Sequence, residues 1–387
     1  MKRAWWIALA GLLLACSDDD TKPDVGLEAS VDMGHDVGSD VKVDVIPDAP
    51  PAKDPTVLIT FNAGLVEGAV PYAKEREPLV IDALKQTTAD VVCLQEVWTD
   101  ASTTAVIDGV KSVYPYSFRE KTEDTTAVKV RCPNIVAVGT LQACVTANCA
   151  GVTVSECVAS TCKTQYDALS DECKMCLATS TANPTACALG GTRDFGFDGR
   201  NGLVLLSKYP LSDTKYTALD AQLFKRGVLS ATVASTKVFC THMSSDLGPV
   251  VPYPTGTTYA SFEAEHAGEA DAIVAAAPAT GCAVLLGDLN CGPTTGGLTG
   301  ELETNYAKFA AGGLTESWTG PKCTWCQENP LSGSKNDRWI DHIMFKGCTM
   351  TPTYTRVLDS EVTVTPTGGT ATKVRLSDHY GLQVELK

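Results

Sequence analysis

The sequence predicts an α/β fold, because apolar runs of strand length alternate along the chain with helix-like stretches and hairpins. Strand-like runs include Val57 to Asn62 and Ala283 to Asp288, and the helix-like stretches include Glu77 to Thr87 and Ser261 to Ala277. Residues 55–387 are enough for one large hydrophobic core with an insertion. Several strand-like runs also end in acids, amides or histidines, which indicates a site at the edge of a sheet.

The first residues have the pattern of a bacterial lipoprotein signal. Lys2 and Arg3 precede an apolar stretch from Ala4 to Leu14, which is too short to persist as a transmembrane helix, and Cys16 follows it. We expect residues 1–16 to form the signal with its lipid-acceptor cysteine, so that the mature protein is anchored to a membrane outside the cytoplasm, in the periplasm or at the cell surface. An ordinary signal peptide with a coincidental cysteine is the alternative.

Residues 17–54 predict a disordered acidic tether. They contain eleven acids and three lysines, with an acid at every fourth position from Asp24 to Asp48, and almost no large apolar side chains. This segment supplies −8 of the formal net charge of −15, so the domain at 55–387 is only moderately acidic. The overall charge therefore does not exclude a polyanionic substrate, because a local basic patch or bound metal ions can reverse the field at a site.

A cysteine-rich insertion is predicted over residues 132–187. The segment is rich in Thr, Ala, Ser and Val, and its eight cysteines are 132, 144, 149, 157, 162, 173, 176 and 187. An even set of cysteines in an oxidising compartment predicts disulfides, so we expect a stapled excursion that is helical in part. Zinc binding through Cys173-x-x-Cys176 is the alternative.

The other cysteines after Cys16 are odd in number, which indicates at least one free or buried thiol. They are 93, 240, 282, 291, 323, 326 and 348. Cys93 and Cys240 lie inside apolar strand-like runs and are interpreted as core residues.

Polar residues end six separate strand-like runs, and this is the strongest functional signal. They are Asn62, Gln95 with Glu96, His242, Asp288 with Asn290, Asp341 with His342, and Asp378 with His379. Each is explained singly by a strand meeting solvent, and for His342, between two isoleucines, that structural explanation is preferred. Together, acids, amides and histidines at one sheet edge are the groups that hold a divalent cation and a phosphoryl group.

The ordered set of motifs resembles the metal-dependent endonuclease/exonuclease/phosphatase superfamily, which includes deoxyribonuclease I and neutral sphingomyelinases. The resemblance runs from Val57 to Leu386, and its motifs include Leu94-Gln95-Glu96, Asn201-Gly202, Lys225-Arg226-Gly227, Gly287-Asp288-Leu289-Asn290, Thr324-Trp325 and Ser377-Asp378-His379. It implies a four-layer α/β sandwich, with two mostly antiparallel sheets packed face to face, helices outside and the site at one rim.

The resemblance also implies a metal site and a cofactor. Glu96 would be the principal ligand of Mg²⁺, with help from Asn62 and from Asp378 directly or through water, and Mn²⁺ or Ca²⁺ would be possible substitutes. Mg²⁺ prefers oxygen ligands and keeps several waters, so few protein ligands are required.

The remaining matched residues would carry the chemistry. His379, oriented by Asp341, would act on the attacking water or stabilise the charged transition state. Asp288 and Asn290 would position the nucleophile and bind the phosphate. His242 would donate to a non-bridging oxygen or protonate the leaving group, and the sequence leaves open which histidine is the acid.

Three features depart from the pattern or lie beside it. His342 stands where such sequences usually have an aromatic residue, and it is either packing or a third imidazole near the site. Cys291 is expected to pair with Cys323 or Cys326 and pin two site loops. The insertion precedes Asn201, so it either shapes substrate choice or only stabilises the surface.

The expected protein is a monomeric, extracytoplasmic, Mg²⁺-dependent phosphodiesterase acting on nucleic acid or on a phospholipid headgroup. A basic rim for nucleic acid would use Lys121, Lys129, Arg131, Arg193 and Arg200, with scattered surface charge as the alternative. For a membrane substrate, the stretch from Val250 to Tyr259 is the only candidate contact, and a plain surface loop is the preferred interpretation. A narrow phosphomonoesterase and a non-catalytic binding protein on the same fold are the alternative functions.

Overall fold

The computed structural model describes residues 51–120, 130–149, 157–158, 160–180, 187, 196–248, 250–366 and 369–387. The predicted signal with Cys16, the tether as far as residue 50, and Lys121, Lys129 and Arg193 lie outside the described residues. Asp54, the last residue of the predicted tether, accepts hydrogen bonds from the backbone and hydroxyl of Ser235 at 2.8 and 2.9 Å and belongs structurally to the domain.

Two large sheets form the centre of the domain. The first has the strand order β10-β13-β1-β2-β4-β3 and the second the order β5-β6-β7-β8-β9, while β11 and β12 form a separate hairpin. The strands of the first sheet are β1 (Val57–Leu65), β2 (Val91–Val97), β3 (Tyr116–Phe118), β4 (Val204–Ser207), β10 (Pro352–Val357) and β13 (Gly381–Leu386). Those of the second sheet are β5 (Ser212–Ala218), β6 (Gly227–Val233), β7 (Thr236–His242), β8 (Ala283–Asp288) and β9 (Asp341–Lys346), and the hairpin comprises β11 (Glu361–Val364) and β12 (Thr372–Arg375).

Both sheets are mostly antiparallel, as predicted. Within them, β1 runs parallel to β2 and β7 parallel to β8, and the other pairings are antiparallel. The two sheets face each other across a core that includes Leu58 and Leu205 from the first sheet and Leu229 and Leu286 from the second. Burial of these apolar faces is the main stabilising contribution to the sandwich.

Helices cover the outer faces of both sheets and complete four layers. The α-helices of the described residues are α1 (Ala73–Lys85), α2 (Asp100–Val110), α3 (Ile135–Asn148), α4 (Lys163–Asp167), α5 (Asp171–Thr179), α6 (Phe262–Ala276) and α7 (Glu303–Ala311). Val80 of α1 and Val106 of α2 pack on the first sheet, while Ile273 of α6 and Phe309 of α7 pack on the second. The four-layer α/β sandwich expected from the sequence is confirmed.

Helix α6 matches its predicted span closely because its start is capped. The Ser261 hydroxyl oxygen accepts a hydrogen bond from the backbone N–H of Ala264 at 3.1 Å, which satisfies one of the free donors at the helix start. Helix α1 begins at Ala73, four residues before the predicted Glu77, and Pro78 lies inside it. Pro78 is the sixth residue of the helix and leaves the carbonyl of Lys74 without its usual donor, yet the helix continues to Lys85.

The insertion is helical in part and held by four disulfides. They are Cys132–Cys173, Cys144–Cys162, Cys149–Cys157 and Cys176–Cys187. The zinc alternative at Cys173 and Cys176 is wrong, because each of these thiols is bonded to a different cysteine. The half-cystines, with Val138 and Leu141 of α3, form most of the small core of this segment, which has few large apolar side chains.

Three further disulfides lie outside the insertion: Cys93–Cys240, Cys282–Cys348 and Cys323–Cys326. Cys291 is the free, buried cysteine, so the predicted pairing of Cys291 with Cys323 or Cys326 is wrong; those two are only three residues apart and pair with each other. Cys93 and Cys240 are core residues as predicted, but they also link β2 to β7 and so join the two sheets covalently. Among the helices of the described residues, none is long and apolar enough to cross a membrane.

Candidate active site

The register of the strands brings the predicted polar residues to one rim of the sandwich. In the first sheet Asn62 pairs with Gln95 in the parallel strands β1 and β2. In the second sheet Asp288 pairs with His242 on one side and with Asp341 on the other. Since the two sheets pack face to face, these strand ends meet in one place, as the sequence predicted.

Asp288 lies at the centre of the cluster. Its side chain is 1% exposed, and its Oδ2 atom accepts a hydrogen bond from Nδ2 of Asn62 at 2.9 Å. The same oxygen lies 3.5 Å from Nε2 of His242 and 3.8 Å from Nε2 of His379. Burial and the neighbouring carboxylate of Asp341 raise the pKa of Asp288 to about 6, so it is mainly ionised at neutral pH.

His379 is held by Asp341. Nδ1 of His379 and Oδ2 of Asp341 are 2.9 Å apart, and the carboxylate accepts the proton of that nitrogen. Burial alone lowers the pKa of His379, but the carboxylates of Asp341 and Asp288 outweigh it and raise the pKa well above its ordinary value. The imidazolium form of His379 is therefore favoured, with its Nε2–H directed toward Asp288.

Thr324 fixes the position of this pair. Its hydroxyl oxygen accepts hydrogen bonds from the backbone N–H groups of Ile340 and Asp341 at 3.2 and 3.1 Å. Its carbonyl oxygen accepts the backbone N–H of Tyr380 at 2.8 Å. One residue thus connects the start of β9 to the segment that carries His379, and the ring of Trp325 lies 6.3 Å from the His379 ring.

His242 has a different neighbour. Its Nδ1 atom lies 2.9 Å from Nη1 of Arg226, a buried guanidinium. Burial, the charge of Arg226 and the charge of His379 together lower the pKa of His242 well below its ordinary value. The two histidines of the site therefore differ in charge at neutral pH, with His379 cationic and His242 neutral.

Glu96 lies where the pairing of β1 with β2 is irregular, and the negative charge of Asp378 acts on it. Glu96 has φ of 58°, in the left-handed region, and the register of β1 with β2 shifts at this point. Such a backbone conformation in a residue other than glycine is a feature of functional sites. Gly64 permits the approach of Asp378, because a Cβ atom at Gly64 would lie 2.3 Å from the carboxylate oxygen.

The oxygen atoms of Asn62, Glu96 and Asp378 can hold a hard divalent cation. Burial, followed by the negative charge of Asp378, raises the pKa of Glu96 to about 7, which is the signature of crowded carboxylates that a cation would relieve. Asp288, Asp341 and His379 also have ligand atoms within 4.8 Å of one another. In that group Nδ1 of His379 and Oδ2 of Asp341 already share a proton, and in the first set Oδ1 of Asn62 accepts the backbone N–H of Gly64 at 3.0 Å.

Asn290 and His342 are placed differently from the central cluster. Asn290 donates its side-chain amide to the carbonyl of Met243 at 2.9 Å, so it links the end of β8 to the loop after β7. His342 contacts Glu316 at 2.6 Å and the carbonyl of Cys291 at 2.8 Å. Both ring nitrogens of His342 therefore have hydrogen-bond partners within the fold, which agrees with the interpretation of His342 as a structural residue.

Sequence reasoning did not assign roles to Arg226 and Thr324. Both residues lie inside the motifs that carry the resemblance, directly before Gly227 and Trp325. Their place in these motifs was the only indication in the sequence that they have a role. The contacts of both residues depend on side chains far away in the sequence, which a motif does not reveal.

The segment that follows the insertion contacts aromatic residues next to His242. Phe197 stacks on Trp98 at 4.4 Å between ring centroids, and Trp98 lies 6.2 Å from the His242 ring. Within the insertion, Tyr166 donates its hydroxyl to the carbonyl of Val250. The stretch from Val250 to Tyr259 is therefore packed against the insertion at its start, in agreement with the surface-loop interpretation.

The chain belongs to the Endonuclease/Exonuclease/phosphatase family, whose pattern matches residues 59–379. Among solved structures, sphingomyelinase C from Streptomyces griseocarneus has a similar fold, with a TM-score of 0.51 and 16% identity over 87% of this chain and 100% of that one. A double mutant of beta toxin from Staphylococcus aureus with bound magnesium ions gives a TM-score of 0.54 and 12% identity over 86% of this chain and 100% of that one. No curated protein sequence matches.

Proposed function

We propose that this protein is an extracytoplasmic, Mg²⁺-dependent phosphodiesterase. The observation that carries the proposal is that the carboxylate of Asp288 lies close to two histidines at one rim, the neutral His242 and the cationic His379. The residues expected to bind the metal, among them Glu96, belong to the same rim. Family membership and the fold shared with a sphingomyelinase and with a magnesium-bound toxin support the same reaction class.

The metal site is assigned to Asn62, Glu96 and Asp378. A bound Mg²⁺ would supply positive charge to a phosphoryl oxygen as electron density moves onto it. Asn62 and Glu96 lie where the register of β1 with β2 shifts, and Gly64 leaves room there for the carboxylate of Asp378. Mn²⁺ or Ca²⁺ would bind the same oxygen atoms with lower affinity or at longer distances, depending on the size of the ion.

The proton chemistry is assigned to the central cluster. Asp288, mainly ionised at neutral pH, accepts a proton from the attacking water and is oriented by Asn62. His379, as an imidazolium held by Asp341, stabilises the charge that develops on the phosphoryl group or gives its Nε2 proton to the leaving oxygen. Asn290 supports the cluster by fixing the loop after β7.

An extracytoplasmic location and a lipid anchor at Cys16 belong to the same proposal. Seven disulfides among the described residues are typical of proteins in oxidising compartments. We propose that the protein acts as a monomer, with residues 17–50 as its tether to the membrane surface.

Phospholipid headgroups are favoured over nucleic acid as substrate. Of the residues expected to form a basic rim, Arg131 lies 3.3 Å from Glu172, and Arg200 lies 3.1 Å from both Asp100 and Asp198. Cations already paired with carboxylates contribute little to binding of a polyanion. Arg131 and Arg200 are the members of the expected rim that the structure describes, and the pairing of both favours a substrate with a single phosphodiester over a polyanion.

The test is to incubate the purified protein with sphingomyelin vesicles, with plasmid DNA and with p-nitrophenyl phosphate, each with Mg²⁺ and with EDTA. We expect Mg²⁺-dependent release of the headgroup from the vesicles. Cleavage of DNA alone would keep the reaction and change the substrate. Hydrolysis of only the monoester would replace the diesterase with a phosphomonoesterase, and inactivity on all three, with disulfides intact, would favour a binding protein.

A further inference from the structure

The contact between Arg226 and His242 determines the position of the proton on the imidazole. A guanidinium has donors and no acceptor, and it stays protonated in proteins. The Nη1 atom of Arg226 must therefore donate across the 2.9 Å to Nδ1 of His242, and Nδ1 must accept. A neutral imidazole carries one N–H, so the proton is on Nε2.

The surroundings of Arg226 keep this contact in place. Its guanidinium is centred 5.7 Å from the ring of Trp98 and 5.8 Å from the ring of Phe224, so it packs against two neighbouring aromatic side chains. Its side chain is buried, and Nε has no hydrogen-bond partner among the described residues. The carboxylates of Asp288 and Glu265 are among the negative charges that act on it. A buried cation placed here for stability alone would have all its donors paired.

The Nε2–H of His242 faces the reaction centre. It lies 3.5 Å from Oδ2 of Asp288, which is long for a hydrogen bond, and that oxygen already accepts from Asn62 at 2.9 Å. The donor is therefore available to an oxygen atom of a phosphoryl group placed beside Asp288. Uptake of a second proton would place an N–H on Nδ1, directly against the guanidinium of Arg226. The imidazolium form is therefore disfavoured, which makes His242 a poor acid. Because Nε2 already carries the proton, His242 is also a poor base.

We propose that Arg226 is a positioning residue that holds His242 as the neutral Nε2–H tautomer, and that His242 acts as a fixed hydrogen-bond donor to a non-bridging phosphoryl oxygen rather than as the acid for the leaving group. This inference rests on the proposed phosphodiesterase function. Under this proposal Asp288 and His379 carry out the proton transfers. Of the two roles that the sequence left open for His242, the proposal assigns the hydrogen-bond donor and excludes the acid.

The first test reads the tautomer without any turnover. The chain has five histidines, so a sample labelled with ¹⁵N in histidine alone gives a small set of imidazole signals, which single His→Gln variants assign. We expect Nδ1 of His242 to have the shift of an unprotonated nitrogen and Nε2 that of a protonated one, across about pH 6 to 9. A proton on Nδ1 in the wild-type protein would overturn the proposal.

The second test compares variants. Arg226→Met removes the donor at similar length, and we expect protonation of Nδ1 to increase and kcat for bis-p-nitrophenyl phosphate with Mg²⁺ to fall on the order of 10²-fold, with a smaller change in KM. Arg226→Lys keeps a donor and is expected to restore the wild-type nitrogen shifts and part of kcat. Arg119→Met, which removes an arginine paired with Asp100 at 3.3 Å, is the matched control and should change neither.

The outcomes separate this inference from the proposed function. Unchanged nitrogen shifts and unchanged kcat in Arg226→Met would refute the role of Arg226 while leaving the phosphodiesterase intact. If the wild-type protein hydrolyses no substrate, the proposed function fails, and the nitrogen shifts still decide the tautomer. If Arg226→Met does not fold, the wild-type and Arg226→Lys spectra decide it.

Discussion

Two buried glutamates behind the site should make the stability of the protein depend on pH. Ser244 donates its backbone N–H to Glu269 at 2.8 Å, and its hydroxyl lies 2.8 Å from both Glu265 and Glu269. A hydroxyl has one proton, so it can donate to only one of them, and the other carboxyl must be protonated to keep its contact. Burial and the nearby charge of Glu265 raise the pKa of Glu269 to about 8.

The sign and size of the effect follow from that pKa. Because Glu269 is protonated in the folded state up to about pH 8 and ionises near 4.5 when unfolded, its contribution to stability is complete below about pH 4.5 and is lost as the pH rises through about 8. A difference of that size corresponds to at most about 5 kcal/mol. Relaxation of the pocket around the ionised carboxylate reduces this upper limit, and we expect about 2–4 kcal/mol to be lost.

The perturbation is Glu269→Gln, which mimics the protonated carboxyl. Its amide oxygen can accept the N–H of Ser244, and its NH₂ can donate to the Ser244 hydroxyl, which then donates to Glu265. In urea unfolding with the disulfides intact, the variant should match the wild type at about pH 4 and exceed it by about 2–4 kcal/mol at about pH 9. Glu263→Gln, on the exposed side of α6, is the control. An equal loss of stability with pH in Glu269→Gln and in the wild type would refute the reasoning.

Three further predictions concern the site and the disulfide beneath it. Glu96→Gln should remove Mg²⁺ binding, measured by calorimetry, and lower turnover by at least about 10²-fold without unfolding the protein; retained binding would contradict the metal assignment. Asp341→Asn should lower kcat by on the order of 10²-fold and shift the alkaline limb of the kcat profile to lower pH, because the pKa of His379 falls without the carboxylate; an unmoved limb would show that His379 does not act as the imidazolium. Replacing Cys93 and Cys240 together by alanine should cost about 2–5 kcal/mol in denaturant unfolding and reduce turnover, since the pair precedes Glu96 and the end of β7; unchanged stability would contradict this.

The α/β class was predictable because its signals are local, whereas the four-layer sandwich was predicted from the family resemblance. Alternation of apolar runs with helical stretches gave the α/β class, and the residue types at six strand ends gave the site. Asp288 and His379 belong to different sheets, and they could be placed in one cluster only because the ordered motifs resemble those of a known family. A capping serine such as Ser261 likewise marks a helix start without any long-range information.

The disulfide pairing and the charges of the histidines could not be predicted, because they depend on residues that are far apart in the sequence and close in space. The pairing of Cys93 with Cys240 requires the two sheets to face each other, and Cys291 is left free because Cys323 and Cys326 lie close enough to pair locally. In the same way, the opposite charges of His242 and His379 come from their different partners, a guanidinium and a carboxylate. The identity of a residue fixes its ordinary pKa, and only its neighbours fix the shift.

The most direct test of the central claim is hydrolysis of bis-p-nitrophenyl phosphate by the purified protein while Mg²⁺ is titrated in and then removed with EDTA. The convergence of Glu96, Asp288 and His379 on one rim predicts release of p-nitrophenol that requires the metal, stops with EDTA, returns when Mg²⁺ is restored, and is absent from Glu96→Gln. Turnover that persists in EDTA, or that is equal in Glu96→Gln and in the wild type, would contradict a metal-dependent phosphodiesterase site.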